Sequence, residues 1–204
     1  MTSLRLKTAS LIYGALAALA MFIGFVRENL DIYHHPKGFL TQAFSFPIGA
    51  VSAGVIGILF GLIVAYATRY TVYRFAWAKT LHQEFRGIFG PISSIDIFGY
   101  AAISAVAEEL FFRGALQPTI GIVATSTIFG LLHFAPGRKF IPWPIQAIVM
   151  GFALGGLFWL TGNLIAPVAA HFTINYQNLH FINRYNPEPE LPKSLIRQHH
   201  DETW

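Results

Sequence analysis

The sequence predicts an all-α fold: a polytopic membrane protein with about six transmembrane helices in one bundle. Three observations predict it. Of the 204 residues, 54% are apolar and only 12% charged, against about 25% charged in a typical soluble domain. Six apolar runs approach the length of about 20 residues that a helix needs to cross the hydrocarbon core. Lysine and arginine collect in alternate loops between those runs, as they do in multi-pass proteins.

The first run covers about residues 8–26, behind Arg5 and Lys7. Ala18-Leu19-Ala20 resembles a signal cleavage site, but the apolar run continues through Val26. It is therefore read as an uncleaved first span. The second run, 44–66, carries Gly49, Ala53, Gly57 and Gly61 at four-residue spacing. Small residues so spaced let helix backbones approach closely, and that packing role is the one assigned to them. Residues 68–90 mix Arg69, Arg74, Lys79 and Arg86 with Tyr70, Tyr73, Phe75 and Trp77, while Leu81, Phe85 and Ile88 continue an apolar stripe. This pattern predicts an amphipathic helix lying in the membrane interface.

The third run, 95–117, has Ser94 as N-cap, with Asp96 in the first turn. Pro118 and Gly121 mark the turn into a short fourth run, 119–134. Pro136, Gly137, Pro142 and Pro144 mark the break before the fifth, 142–160, in which Gly151 and Gly155 repeat the small-residue spacing. The sixth covers 163–182. From Asn183 the chain turns polar and proline-rich, which predicts a loose tail. Three regions follow: 1–90 with two spans and the interfacial segment, a core at 91–183, and a tail at 184–204.

With the N-terminus inside, eleven of the 14 Lys and Arg residues fall in inside loops. Arg27 and Lys37 lie outside, and Arg113 lies within a span. The expected location is thus the cell (inner) membrane with both termini cytoplasmic. The net charge of +4 is scattered between apolar runs rather than gathered on a polar face, so no nucleic-acid partner is expected. The absence of cysteine excludes disulfides, thiolate nucleophiles and Cys-ligated zinc. His34-His35 and His199-His200 sit in loops without metal-ligand spacing.

The chemistry lies in the last four runs. The third reads Glu108-Glu109-Leu-Phe-Phe-Arg113, three ionisable groups inside an apolar span. Each such group opposes insertion by about 2.5–3.5 kcal/mol near the centre, which makes it a functional candidate by default. Glu109 and Arg113 are four apart and can pair on one helix face. Glu108 points about 100° away and lacks that partner. The fourth run ends Phe129-Gly-Leu-Leu-His133, and the sixth contains His171-Phe-Thr-Ile-Asn175 with His171 and Asn175 on one face. Counted from the outer turns, Glu108, His133 and His171 lie about 14, 21 and 10 Å deep, which modest tilt brings to one pocket. A carboxylate hidden from water suits a general base, a histidine can share its proton, and His and Asn can donate to an oxyanion. That set suffices for water attack on an amide. A buried ion pair that joins two helices would explain Glu109 and Arg113 but not Glu108.

The three blocks resemble those of the CAAX prenyl endopeptidase and bacteriocin-processing (CPBP) family, also called Abi or type II CAAX proteases. Its pattern is EExxxR, FxxxH and HxxxN or HxxxD on successive helices. The resemblance covers about residues 90–183, with no departure at a motif position. It implies an intramembrane endopeptidase acting on a membrane-anchored or lipid-modified protein, in CAAX-like or C-terminal sorting-tail processing. It implies that Glu108 and His133 activate water, that His171 and Asn175 form the oxyanion site, and that Glu109 and Arg113 organise the pocket. A metal-free reaction is favoured; if zinc takes part, Glu108, His133 and His171 are its expected ligands. Two other readings stand beside this one. The first is a non-catalytic immunity or scaffold protein of the Abi type. The second is a small proton-coupled transporter with Glu108 as relay.

Overall fold

A computed structural model of the chain describes residues 2–35 and 49–187. Helix α1 (Thr2–Val26) is followed by a short segment to His35, and α2 (Ala50–Arg74) begins directly after Gly49. The chain breaks at Phe75, whose backbone is extended, before α3 (Ala76–Phe89). Helix α4 (Ser94–Glu109) passes into a π-helical stretch, Leu110–Leu116, and α5 (Gln117–Leu132) follows without interruption. A single 3-10 turn, Arg138–Phe140, leads to α6 (Pro142–Thr161), and α7 (Ile165–Arg184) closes the bundle. No β-strand occurs among the described residues.

Four stretches are long and apolar enough to cross a membrane: Leu6–Val26, Ala50–Arg74, Ser94–Leu132 and Arg138–Thr161. The third has 39 residues, about 58 Å if straight and nearly twice the hydrocarbon thickness. It is not straight. Gly121 has φ 82° and ψ 165°, a conformation open to glycine and closed to other residues. Phe112 packs edge-on against Phe129 with centroids 4.9 Å apart, and Glu108 faces His133. Such pairing places the arms antiparallel, with Gly121 at the bend. Helix α7 has the length of a span but gives up apolarity to His171, Asn175, Gln177, Asn178 and His180. The six segments expected from the sequence are thus all present, five of them within the four apolar stretches and the sixth as α7.

Neighbour contacts give the directions. Gly57 and Gly61 of α2 lie on Ala166 and Ala170 of α7, and Arg69 reaches Gln177, so α2 and α7 run parallel. Ser104 meets Asn175 and Ile92 meets Asn183, so α4 and α7 are antiparallel. Leu6 packs on Gly99 and Ala20 on Phe112, so α1 runs with α4. Gly151 lies on Ser126 and Gly155 on Ile122, so α5 and α6 are antiparallel. Every pair fits six segments that cross in alternation. Gly57, Gly61, Gly151 and Gly155 have the packing role expected of them, whereas a Cβ at Gly49 would meet nothing within 4 Å among the described residues. A Cβ at Gly61 would come within 2.7 Å of the Ala170 carbonyl, and one at Gly151 within 2.9 Å of Ser126.

Several boundaries differ from expectation. Helix α2 continues to Arg74, so Arg69, Tyr70 and Tyr73 end a span instead of opening the interfacial segment, which is α3 alone. Polar and aromatic residues in the last turns of α2 belong at the headgroup level and do not end the helix. The cap of α4 is Ser93, whose hydroxyl accepts from the Asp96 amide, one residue before Ser94. His34 has a partner after all, with its Nδ1 2.9 Å from Asp31. Lys37, the start of the second run at 44, and the tail beyond 187 with His199-His200 lie outside the described residues.

Candidate active site

Glu109 is fully buried and Arg113 nearly so. Their side chains pair at 2.8 Å, Nη1 to Oε1. The same oxygen accepts from His171 Nδ1 at 2.7 Å. Arg113 also donates through Nη2 to the Gly151 carbonyl at 3.3 Å, and its guanidinium lies 4.5 Å above the Phe129 ring. One carboxylate thus ties α4 to α7, and one guanidinium ties the π-helical stretch to α6. The five residues Phe111–Ala115 are all buried. Neighbours enclose that stretch all round: α1 packs against it, and Gly114 lies so close to Ile32 that a Cβ would fall within 2.8 Å of its carbonyl. π-helical turns of this kind concentrate at functional sites.

Glu108 stands apart from that cluster, as its position on the helix implies. Its Oε2 is buried and has no hydrogen-bond partner. That oxygen lies 4.0 Å from Nε2 of His133. His133 Nδ1 is 2.6 Å from the Phe129 carbonyl, to which it must donate because a carbonyl can only accept. In neutral His133 the lone pair is therefore on Nε2, directed at Glu108. The matching depth comes from the hairpin. Glu108 lies 13 residues before Gly121 and His133 lies 12 after it, about 20 and 18 Å of helix.

Glu108, His133, His171 and Asn175 line one cavity of about 330 Å³. Asn175 donates to the Ser104 hydroxyl at 3.0 Å, which leaves its second N–H for another acceptor. Tyr13 of α1 lines the same cavity, beside the Glu108 carboxyl. From these polar groups the cavity runs toward Thr68 and Thr71 of α2 and Trp77, Leu81 and Phe85 of α3. Helix α3 is strapped to the end of α7: Arg86 donates to the Ile182 and Asn183 carbonyls at 2.7 and 2.8 Å, and His82 to the Tyr185 carbonyl at 2.9 Å. Burial pushes the His82 imidazole below its ordinary range, and nearby Arg86 adds to that.

All six sequence-predicted residues therefore gather at one place, as two sets. Glu109, Arg113 and His171 form a closed hydrogen-bonded group, while Glu108 and His133 face each other across open space with Asn175 nearby. Sequence reasoning missed Tyr13 and Ser104. Ser104 had a signal, four residues before Glu108 and so on its face. Tyr13 had little, a single hydroxyl in an apolar run. A zinc ion fits this arrangement poorly. His171 Nδ1 and Glu109 are engaged with each other, His133 Nδ1 is engaged with a carbonyl, and no three His, Asp or Glu side chains converge among the described residues.

Residues 91–177 match the family described as type II CAAX prenyl endopeptidase Rce1-like. Among curated proteins, YpbD of Bacillus subtilis is 40% identical over 88 residues, 43% of this chain and 46% of that protein. A component of the Na(+)-translocating NADH-quinone reductase of Haemophilus influenzae is 31% identical over 98 residues, 48% of this chain and 23% of that protein. The chain thus spans less than half the length of these curated relatives. No solved structure matches it.

Proposed function

With residues 91–177 matching the Rce1-like family of type II CAAX prenyl endopeptidases as the premise, we propose that the chain is an intramembrane endopeptidase that cleaves a peptide bond in a membrane-anchored or lipid-modified protein. One observation carries the proposal. The partnerless Oε2 of Glu108 faces Nε2 of His133 at 4.0 Å on the wall of a cavity shared with His171 and Asn175. That gap lets one water contact both groups.

In the proposed reaction Glu108 takes a proton from that water, with His133 orienting it, as oxygen attacks the scissile carbonyl carbon. The oxyanion accepts from the remaining Asn175 N–H and from His171 Nε2–H. Since Nδ1 of His171 already serves Glu109, the second donor requires an imidazolium, which the adjacent Glu109 carboxylate supports. The C–N bond then breaks and Glu108 returns its proton to the leaving amine. Tyr13 stands beside the Glu108 carboxyl on the cavity wall. No step uses a metal. The apolar walls toward α3 suit an apolar peptide or acyl segment. Both termini are assigned to the cytoplasmic side by the distribution of Lys and Arg.

The test is cleavage of a lipid-modified reporter in proteoliposomes by wild type and Glu108→Gln. Loss of the base costs about 10²–10⁴-fold, so the variant should fall far below a tenth of wild-type turnover while melting unchanged. Turnover above a tenth would refute the assignment. A proton-coupled transporter would instead give flux and no new peptide ends, and a scaffold neither.

A further inference from the structure

A second cavity, of about 400 Å³, adjoins the first, and Phe181 lines both. Its walls are Arg69 of α2 and Tyr176, Gln177, His180, Phe181 and Arg184 of α7. No acidic side chain lines it. Arg69 donates through Nη2 to Gln177 at 2.6 Å and stacks over Tyr66 and Phe181, which holds the guanidinium in one pose. Its Nε is nonetheless buried without a partner, as is Nε2 of His180. The Arg69 Nε–H can only donate, and an unmet buried N–H donor is rare in folded proteins and points to an absent acceptor. Arg184 is exposed beside them. The groove is built to receive an anion.

Its surroundings say which kind. On α2, Leu59, Ile63, Tyr66 and Tyr70 form one exposed face that leads to the groove. Leu59 and Ile63 belong against acyl chains, and Tyr66 and Tyr70 at the headgroup level. The groove therefore opens where an apolar surface meets a cationic one, and an anion held there can keep its hydrocarbon on the helix.

We propose that this cleft between α2 and α7 binds the phosphodiester headgroup of an anionic phospholipid, with Arg69 and Arg184 as the cationic contacts. Basic pockets between spans are sites of this type. The proposal is independent of the protease assignment. It is tested on the purified full chain in non-ionic detergent, by thermophoresis against phosphatidylglycerol, phosphatidylcholine and sodium phosphate. Saturable phosphatidylglycerol binding at least about fivefold tighter than the other two is expected. One basic residue contributes about 1 kcal/mol to such binding, so Arg184→Gln, at an exposed position, should weaken it about fivefold, and Arg69→Gln at least as much. Equal binding of phosphatidylcholine, equal binding of free phosphate, or wild-type affinity in Arg184→Gln would each overturn the proposal.

Discussion

Replacing Arg113 by alanine should unfold the protein far more readily than any change at Glu108. Arg113 is 1% exposed and Glu109 0%, and removing one partner of a buried ion pair costs about 3–5 kcal/mol because the other charge is stranded. Here the stranded carboxylate keeps His171 at 2.7 Å, which places the ion-pair part near the lower end of that range. Two further losses restore the total. The Gly151 carbonyl loses its side-chain donor, and a void opens above Phe129 where the guanidinium lay at 4.5 Å. For a chain of this length about 3–5 kcal/mol corresponds to a fall in melting temperature of about 6–20 °C. The assay is thermal unfolding in detergent, side by side with Glu108→Gln, whose free oxygen holds nothing together. A melting temperature of Arg113→Ala within ~2 °C of wild type would refute the structural role of the pair. The double variant Glu109→Gln/Arg113→Ala removes both charges, and should recover part of the loss.

Tyr13→Phe removes the hydroxyl beside Glu108 on the cavity wall and should lower kcat/KM about tenfold, roughly 1.4 kcal/mol, and move the acidic limb of the pH–rate profile; an unmoved profile would make Tyr13 a packing residue only. Chelation with a strong agent should leave turnover of the purified protein unchanged, and stoichiometric zinc whose removal abolishes activity would reverse the metal-free reading. His82 is held below its ordinary imidazole range, so below about pH 6.5 the unfolded chain takes up a proton that the folded chain refuses. Stability should therefore fall as pH drops through that window, and His82→Gln should flatten the decline measured by melting at pH 5–7.

The spans were legible because membrane crossing is a matter of length and apolarity, both read directly along the chain. The candidate residues stood out in the sequence because Glu108, Glu109 and Arg113 are costly where they lie. Pairing across helices was not. His171 and Asn175 share a face and look like one functional unit, yet His171 binds Glu109 while Asn175 binds Ser104. Nothing local to residues 171–175 distinguishes these partners, which lie 62 and 71 positions away. The π-helical winding after Glu109 was equally hidden, since nothing in the composition of residues 110–116 marks it. The extension of α2 to Arg74 was missed because tyrosines and arginines read as the end of an apolar run when they were only its headgroup-level turns.

Arg113 grips the carbonyl of Gly151, and Gln117, one turn along, grips that of Gly155 at 3.0 Å. Two hooks on two rungs, each four residues apart, make a pawl on a ratchet. The strand of helix bearing Glu108 cannot creep along α6 by fractions of a turn without losing both holds together, and the next position that restores them is about 5.4 Å away. The chain that carries Glu108 is thus held against α6 at two successive turns. A shift along α6 would have to break both bonds at once, so the stretch between Glu108 and Gln117 is tied to α6 as one piece.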